Sequence, residues 1–268
     1  MTLCIEVALK SEAQPLIDAF NLRPLPGNPL FPIWENEEIK LIISGVGKIK
    51  SGAACSYLAG IYRDEDIYGW LNVGIAGHRT LPIGTPIIAH TIIDELKRIQ
   101  FFPSFAFKQP CAAEICLTVE NPEHLYERSC VYDMEAAGFY AIASKISPLE
   151  MIHVFKVISD NADHSTKEIT KQKVHMLIEN HVGMIQDILK EMQTLIQEIA
   201  PIEIPFLDEL MKKWHFTTCE THQLKKLLQR WNVLCPDQVL LSHDLLSKTS
   251  TKDVLSFLED QLNALPVC

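Results

Sequence analysis

The 268-residue chain has no run approaching 18 apolar residues, so no segment reads as a membrane-spanning helix. It has no basic surplus either: 24 Lys and Arg face 34 Asp and Glu, a formal net charge of −10. Nucleic-acid binding relies on clustered Lys and Arg at the phosphates, so a nucleic acid is not an expected partner. No C-x-x-C pair occurs among the eight cysteines (4, 55, 111, 116, 130, 219, 235 and 268), and most lie in apolar runs. That pattern predicts buried free thiols in a reducing cytoplasm rather than a disulfide framework. The opening MTLCIEVALKSEAQPL lacks a basic region followed by a long apolar core, so no secretory leader is expected. Also missing are repeats, low-complexity tracts, a P-loop, a G-x-S-x-G elbow and a G-x-G-x-x-G turn after the first strand. His78, His90, His153 and His164 share no i, i+4 spacing and have no Cys partner at finger spacing. Neither a metal nor any other cofactor is therefore expected.

What is present has ordinary globular composition, 47% hydrophobic and 22% charged. The first 160 residues alternate apolar runs with amphipathic segments. Strands are expected at LCIEVAL (3–9), KLIISGVG (40–47), GWLNVGIAG (69–77), GTPIIAHTIID (84–94) and MIHVFKVISD (151–160). Helices are expected from about Ser11 to Phe20 and over 50–62, and a long helical pattern runs from 166 to about 199. Its face carries Val174, Ile178, Val182, Ile185, Ile188 and Leu189. Continuous apolar strands separated by helices predict an α/β fold, a mixed central sheet covered on both faces. Ligands of such sheets bind at the carboxyl ends of the strands.

Near Pro201 the pattern changes. APIEIPF carries two prolines, and the residues beyond it have helical periodicity only. Thr217 stands three residues before Glu220, a capping-box signature. STKDVLSFLEDQLNALP opens similarly and aligns Val254, Leu255, Leu258, Leu262 and Leu265 in one stripe. We expect a domain over 1–200 and a helical extension of three or four helices over 201–268. That extension carries 7 basic and 9 acidic residues, which argues against DNA binding. A helical packing unit is the simpler expectation, and a partner-docking module the second.

Two segments place acids where burial is expected. HVFKVISDNADH delivers Ser159 and Asp160 at the end of an apolar strand. Ser, Asp and Asn favour turns and helix caps, which explains the segment without function. The alternative is an Asp at a pocket floor able to protonate a ring nitrogen. VYDMEAA places Glu135 at the head of an apolar helix. It reads either as a first-turn acid complementing the helix dipole or as a clamp on adjacent ribose hydroxyls.

Taken together, these segments resemble the nucleoside phosphorylase superfamily, and most closely its 5′-methylthioadenosine/S-adenosylhomocysteine nucleosidase branch. ALKSEAQPL resembles that branch's A-x-x-x-E segment, and SGVGKIKSGAA its S-G-(I/V)-G-K motif. NVGIAG with LPIGTPII is similar to its N-x-G-x-A-G and following strand. DMEAAGFYAIA and FKVISDNAD are similar to its V-E-M-E and V-x-R-x-(I/V)-S-D-x-A-D motifs. The likeness covers roughly residues 1–195. It implies that Asp160 protonates a purine at N7, Glu135 holds the ribose hydroxyls with Met134 against the sugar, and Glu12 activates water. Ser159 would support Asp160, and Gly45, Ile75, Ala76 and Gly77 would let backbone approach the ligand. The implied activity is hydrolysis of the N-glycosidic bond of a purine nucleoside or 5′-modified adenosine, by a homo-oligomer, with a dimer favoured.

Phosphorolysis remains an alternative. It needs cationic donors for an oxyanion, and Arg79 and Lys48 are the nearest candidates, though Lys48 also reads as a solvated helix-start residue. The sequence departs from the branch at Ile75 (usually Ser), His78 (usually Gly) and Lys156 (usually Arg). These departures leave open a nucleoside-binding protein that has lost catalysis. Phe101, Phe102, Phe105 and Phe107 would line either a base pocket or, more simply, core and a subunit interface.

Overall fold

A computed structural model describes residues 2–27, 29–62, 67–199, 206–235, 240 and 243–264. The chain divides into two compact units, residues 1–198 and 199–268. In chain order the first contains β1 (Thr2–Val7), α1 (Lys10–Ala19), β2 (Arg23–Pro24), β3 (Ile33–Glu35), β4 (Ile39–Ile43) and α2 (Lys48–Ile61). Next come β5 (Ile67–His78), β6 (Pro86–Asp94), β7 (Gln100–Phe101), β8 (Ala112–Thr118), β9 (Val131–Asp133) and α3 (Ala136–Ala143). Then come β10 (Ile152–Asp160), α4 (Lys171–Glu179) and α5 (Val182–Ile199).

The ten strands form one mixed sheet, and β5 is its centre. It runs parallel to β1 on one side and to β10 on the other, and its end pairs antiparallel with β9. Because β10 also pairs with β6, β6 with β8 and β8 with β9, the sheet closes on itself through β5. This closure makes the ends of β5, β9 and β10 neighbours although the segments are far apart in sequence. β1, β4 and β10 are buried along their whole lengths, as continuous apolar runs in a doubly covered sheet require. On one face, α2 and α3 pack on Trp70, Ile152, Val154 and Ile158. Their contact is so close that a Cβ on Gly138 would fall on the Lys48 carbonyl, so only glycine fits there.

The continuous helical pattern over 166–199 is two helices, not one. A short 3₁₀ turn at Thr166–Glu168 precedes α4, and α4 stops before Asn180 and His181. The His181 imidazole bonds the Leu177 carbonyl at 2.8 Å, taking up an acceptor at the helix end. The apolar stripe continues across the break, so its periodicity carries no sign of the stop. The stripe residues Val174, Ile178, Ile185, Ile188 and Leu189 are all buried.

The second unit contains α6 (Leu207–Lys213), α7 (Thr218–Leu234), α8 (His243–Leu246) and α9 (Thr251–Asn263). Its core joins Leu210, Trp214, Leu224 and Leu228 to Val254, Leu255, Leu258 and Leu262. Leu265 and the prolines at 201 and 205 lie outside the described residues. The capping box at Thr217 forms, Thr217 Oγ1 accepting from Glu220 N and Glu220 Oε2 from Thr217 N, whereas at Ser250 the cap bond from Asp253 N is made without the reciprocal one. Among the described residues no helix is long and apolar enough to cross a membrane. Cys55, Cys111, Cys116, Cys130, Cys219 and Cys235 are free, four of them buried.

Candidate active site

Three strand ends and the start of α1 surround a cavity of about 300 Å³. Its walls include Glu12, Ile75, Ala76, Gly77, Met134, Glu135, Ser159 and Asp160, together with Asp133, Glu123, Tyr132 and several apolar side chains. Of the nine residues that the family resemblance assigns to catalysis and substrate binding, only Gly45 is absent from the wall; its neighbour Val46 lines it instead. Gly45 and Gly47 have φ of +82° and +108°, the left-handed region that favours glycine in this turn.

Each acid is held by a different device. Glu12 sits at the third position of α1 and accepts from Leu9 N (2.8 Å), Ala8 N (3.1 Å) and, across the sheet, Ile75 N (3.0 Å). Burial pushes its carboxyl up to about 7, while the Ile75 amide and Lys156 pull the other way. Glu135 stands at the N-cap position of α3, and its side chain turns away from the helix to accept from Gly47 N at 2.8 Å. Burial first, then the neighbouring Asp133, raise it to about 8 against the opposing pull of Lys156. Asp160 is held by side chains: Ser159 donates to one carboxyl oxygen and Tyr126 to the other. A register shift where β10 meets β5 lets consecutive residues Ser159 and Asp160 both reach the cavity. A regular strand would send them to opposite faces.

Asp133 organises the scaffold around these groups. It accepts from the backbone N–H of Glu135 (3.1 Å) and Ala136 (2.7 Å), capping α3, and from the Thr118 hydroxyl at 2.7 Å. It also pairs with Lys156 at 2.9 Å, with both groups buried. Burial opposes ionisation of Asp133, yet the Lys156 ammonium beside it holds it below the ordinary range. Burial alone would lower Lys156, but Asp133 and Glu135 beside it prevail and raise it. The departure from Arg at this position therefore keeps a cation in place.

Several expectations change here. Gly74 and Gly77 make room for protein side chains, and Gly77 lines the cavity as well. A Cβ on Gly74 would lie 3.1 Å from Glu12 Oε1, and one on Gly77 would lie 2.6 Å from Asp160 Oδ2 and 2.8 Å from the Tyr126 ring. Lys48 is neither solvated nor free to bind an anion, because Asp94 and Glu120 take its ammonium at 2.9 and 2.5 Å. His78 is buried and accepts from Thr80 N and Leu81 N, fixing a turn. None of the four phenylalanines lines the cavity. Phe105 and Phe107 pack on His153, Phe101 packs on Tyr140, and Phe102 is exposed. His164 is an exposed turn residue on Asn161. Among the described residues no cluster of His, Cys, Asp or Glu has metal-site geometry.

Sequence reasoning missed Glu6 and Tyr126. Glu6 is fully buried in β1, bonded by Asn72 and raised by desolvation. One acid in LCIEVAL and one amide in GWLNVGIAG, both in strands buried on two faces, are signals that could have found the pair. Tyr126 adopts φ +48°, a conformation costing an ordinary residue about 1–2 kcal/mol. No pattern in NPEHLYERS announces its reach to Asp160.

No family model matches the chain, and no curated protein matches it by sequence. Solved nucleosidase structures share this mixed sheet with flanking helices. Among solved structures, the chain is similar to the 5′-methylthioadenosine/S-adenosylhomocysteine nucleosidase of Helicobacter pylori, at 16% identity and a TM-score of 0.59 over 71% of this chain and 98% of that one. It is similar to the futalosine hydrolase of Helicobacter pylori with the same four values. The 5′-methylthioadenosine nucleosidase of Arabidopsis thaliana matches at 16% identity and a TM-score of 0.59, covering 71% of this chain and 95% of that one. At such identities the likeness is one of fold.

Proposed function

We propose that the chain is a nucleosidase that hydrolyses the N-glycosidic bond of a purine nucleoside or 5′-modified adenosine, methylthioadenosine- or adenosylhomocysteine-like, to free base and sugar. The observation that carries this reading is the convergence of Glu12, Glu135 and Asp160 on one cavity. Asp160 hydrogen-bonds or protonates the base at N7, which makes it a better leaving group. Glu135 grips the ribose hydroxyls, with Met134 against the sugar. As the C–N bond lengthens, the ribosyl centre gains positive charge, and the surrounding carboxylates stabilise it. Glu12, with a carboxyl near neutrality, is suited to take a proton from attacking water.

Water is favoured over phosphate on electrostatic grounds. The cavity wall carries Glu12, Glu123, Asp133, Glu135 and Asp160 and, among the described residues, no Lys or Arg. Lys156 stands behind that wall, engaged by Asp133. A phosphate dianion would meet acidic side chains and no cationic donor.

The test incubates the protein with methylthioadenosine, adenosine and inosine, with and without phosphate, and follows free base by chromatography. Phosphate-independent release is expected. Release only with phosphate would replace hydrolysis by phosphorolysis, and binding without release would make the chain a nucleoside-binding protein.

We also propose that the first unit pairs with a second copy. Ile49, Leu96, Ile99 and Phe102 are exposed apolar residues of that unit. Light scattering on the purified chain should return twice the 30.3 kDa chain mass; the single-chain mass would refute the pairing.

A further inference from the structure

Tyr126 lies outside the three-acid scheme, yet its hydroxyl donates to the carboxyl oxygen of Asp160 opposite the one taken by Ser159. It approaches from behind. Asp160, Ser159 and Gly77 line the cavity, whereas Tyr126 does not, and the residue is only 2% exposed. Its ring edge passes over Gly77, where a Cβ would come within 2.8 Å, so the missing side chain at 77 is what admits it. Tyr132 braces the ring edge-on at 5.8 Å. Its backbone is tied as well: Glu123 Oε1 accepts from the successive N–H groups of His124 (2.8 Å), Leu125 (2.7 Å) and Tyr126 (3.4 Å). Glu123 and Pro122 of the same loop form part of the cavity wall.

We propose that Tyr126 is a positioning residue for Asp160, holding the plane of its carboxyl so that the group faces the base, and that the 119–126 loop thereby couples base binding to alignment of the acid. The inference rests on the nucleosidase reading for its kinetic consequence, though not for the contact itself. Burial and the Asp160 carboxylate together raise the phenol well above the ordinary tyrosine range, so it stays a donor throughout the working pH range. A donor on each oxygen leaves the carboxyl little freedom to rotate, and misalignment of a reacting group by about 1 Å costs on the order of 100-fold in rate.

The test compares wild type, Tyr126→Phe and Asp160→Asn on methylthioadenosine, with the thermal midpoint recorded for each. Tyr126→Phe keeps the ring and should lower kcat by about 10- to 100-fold while KM changes less than about threefold. An unchanged kcat in a folded Tyr126→Phe protein overturns the proposal, as does a change confined to KM. A second readout needs no turnover. With 13C at tyrosine Cζ, the Tyr126 resonance at neutral pH should move in Asp160→Asn more than those of the other tyrosines, because its hydroxyl loses the carboxylate it donates to. A resonance that Asp160→Asn does not move overturns the positioning role even if base is released. If wild type releases no base while that resonance shifts as expected, the nucleosidase reading fails and the Tyr126–Asp160 contact stands.

Discussion

The two units of this chain bury different things. Every buried polar or charged side chain among the described residues lies between Thr2 and Asn161, in the first unit. The second unit buries Leu, Val, Trp and Cys alone. Burying a charge is costly unless it is paired and hydrogen-bonded, and the first unit supplies such partners one by one. Backbone amides serve Glu12 and Glu135, hydroxyls serve Asp160, and Asp133 and Lys156 serve each other. The contrast teaches where a chemical role is to be sought: in the unit that keeps six acids and two lysines buried where apolar residues would pack at lower cost.

Asp160→Asn removes the proton donor and should show the largest effect. Base release should fall by about 10²- to 10⁴-fold with the thermal midpoint nearly unchanged; unchanged turnover would sink the site assignment. Lys156→Ala leaves Asp133 buried and unpaired, and should destabilise the first unit by about 3–5 kcal/mol in denaturant titration. A loss below about 1 kcal/mol would mean that the pair is not a keystone of the scaffold.

On the other side of the comparison, Leu258→Ala empties part of a purely apolar core. It should cost about 2–5 kcal/mol, read as faster hydrogen exchange in α7 and α9. Full retention of protection there would show that the core is not packed as described.

The pH response should separate the units as well. Glu12 and Glu135 rise from 4.5 to about 7 and about 8 on folding. Between those values the folded state holds protons that the unfolded chain has released. These two groups therefore make the first unit less stable as pH rises from about 4.5 to 8, by up to about 1.4 kcal/mol per pH unit for each. Asp133, lowered in the fold, acts with opposite sign but at more acid pH, below its ordinary 3.8. Denaturant titrations at about pH 5, 6.5 and 8 should show the decline. Turnover should move the other way, rising through about pH 7 as Glu12 loses its proton; a flat profile there would remove Glu12 as the base. Thr217→Ala should have the smallest effect, about 1 kcal/mol of α7 stability by hydrogen exchange.

The amino-acid sequence alone determined the five long apolar strands, β1, β4, β5, β6 and β10, and the change of pattern near Pro201, but not β2, β3, β7 or β8. Buried strands and amphipathic helices announce themselves through short-range periodicity, and a core such as that of the second unit needs nothing else. The sequence also singled out Glu135 and Asp160 as acids at odds with their apolar surroundings, and Glu12 through the family resemblance. Only the tertiary structure decided what surrounds them. Closure of the sheet through β5 joins strand ends that lie far apart along the chain. It brings Tyr126 to Asp160 through a left-handed turn, sets Lys156 against Asp133, and spends the glycines at 74 and 77 on making room for side chains. These contacts depend on distances in space between residues that no local pattern relates. For the same reason the stop between α4 and α5 was hidden: the backbone pairing shortens at His181, whose N–H bonds Ile178 and whose side chain bonds Leu177, while the apolar pattern runs on.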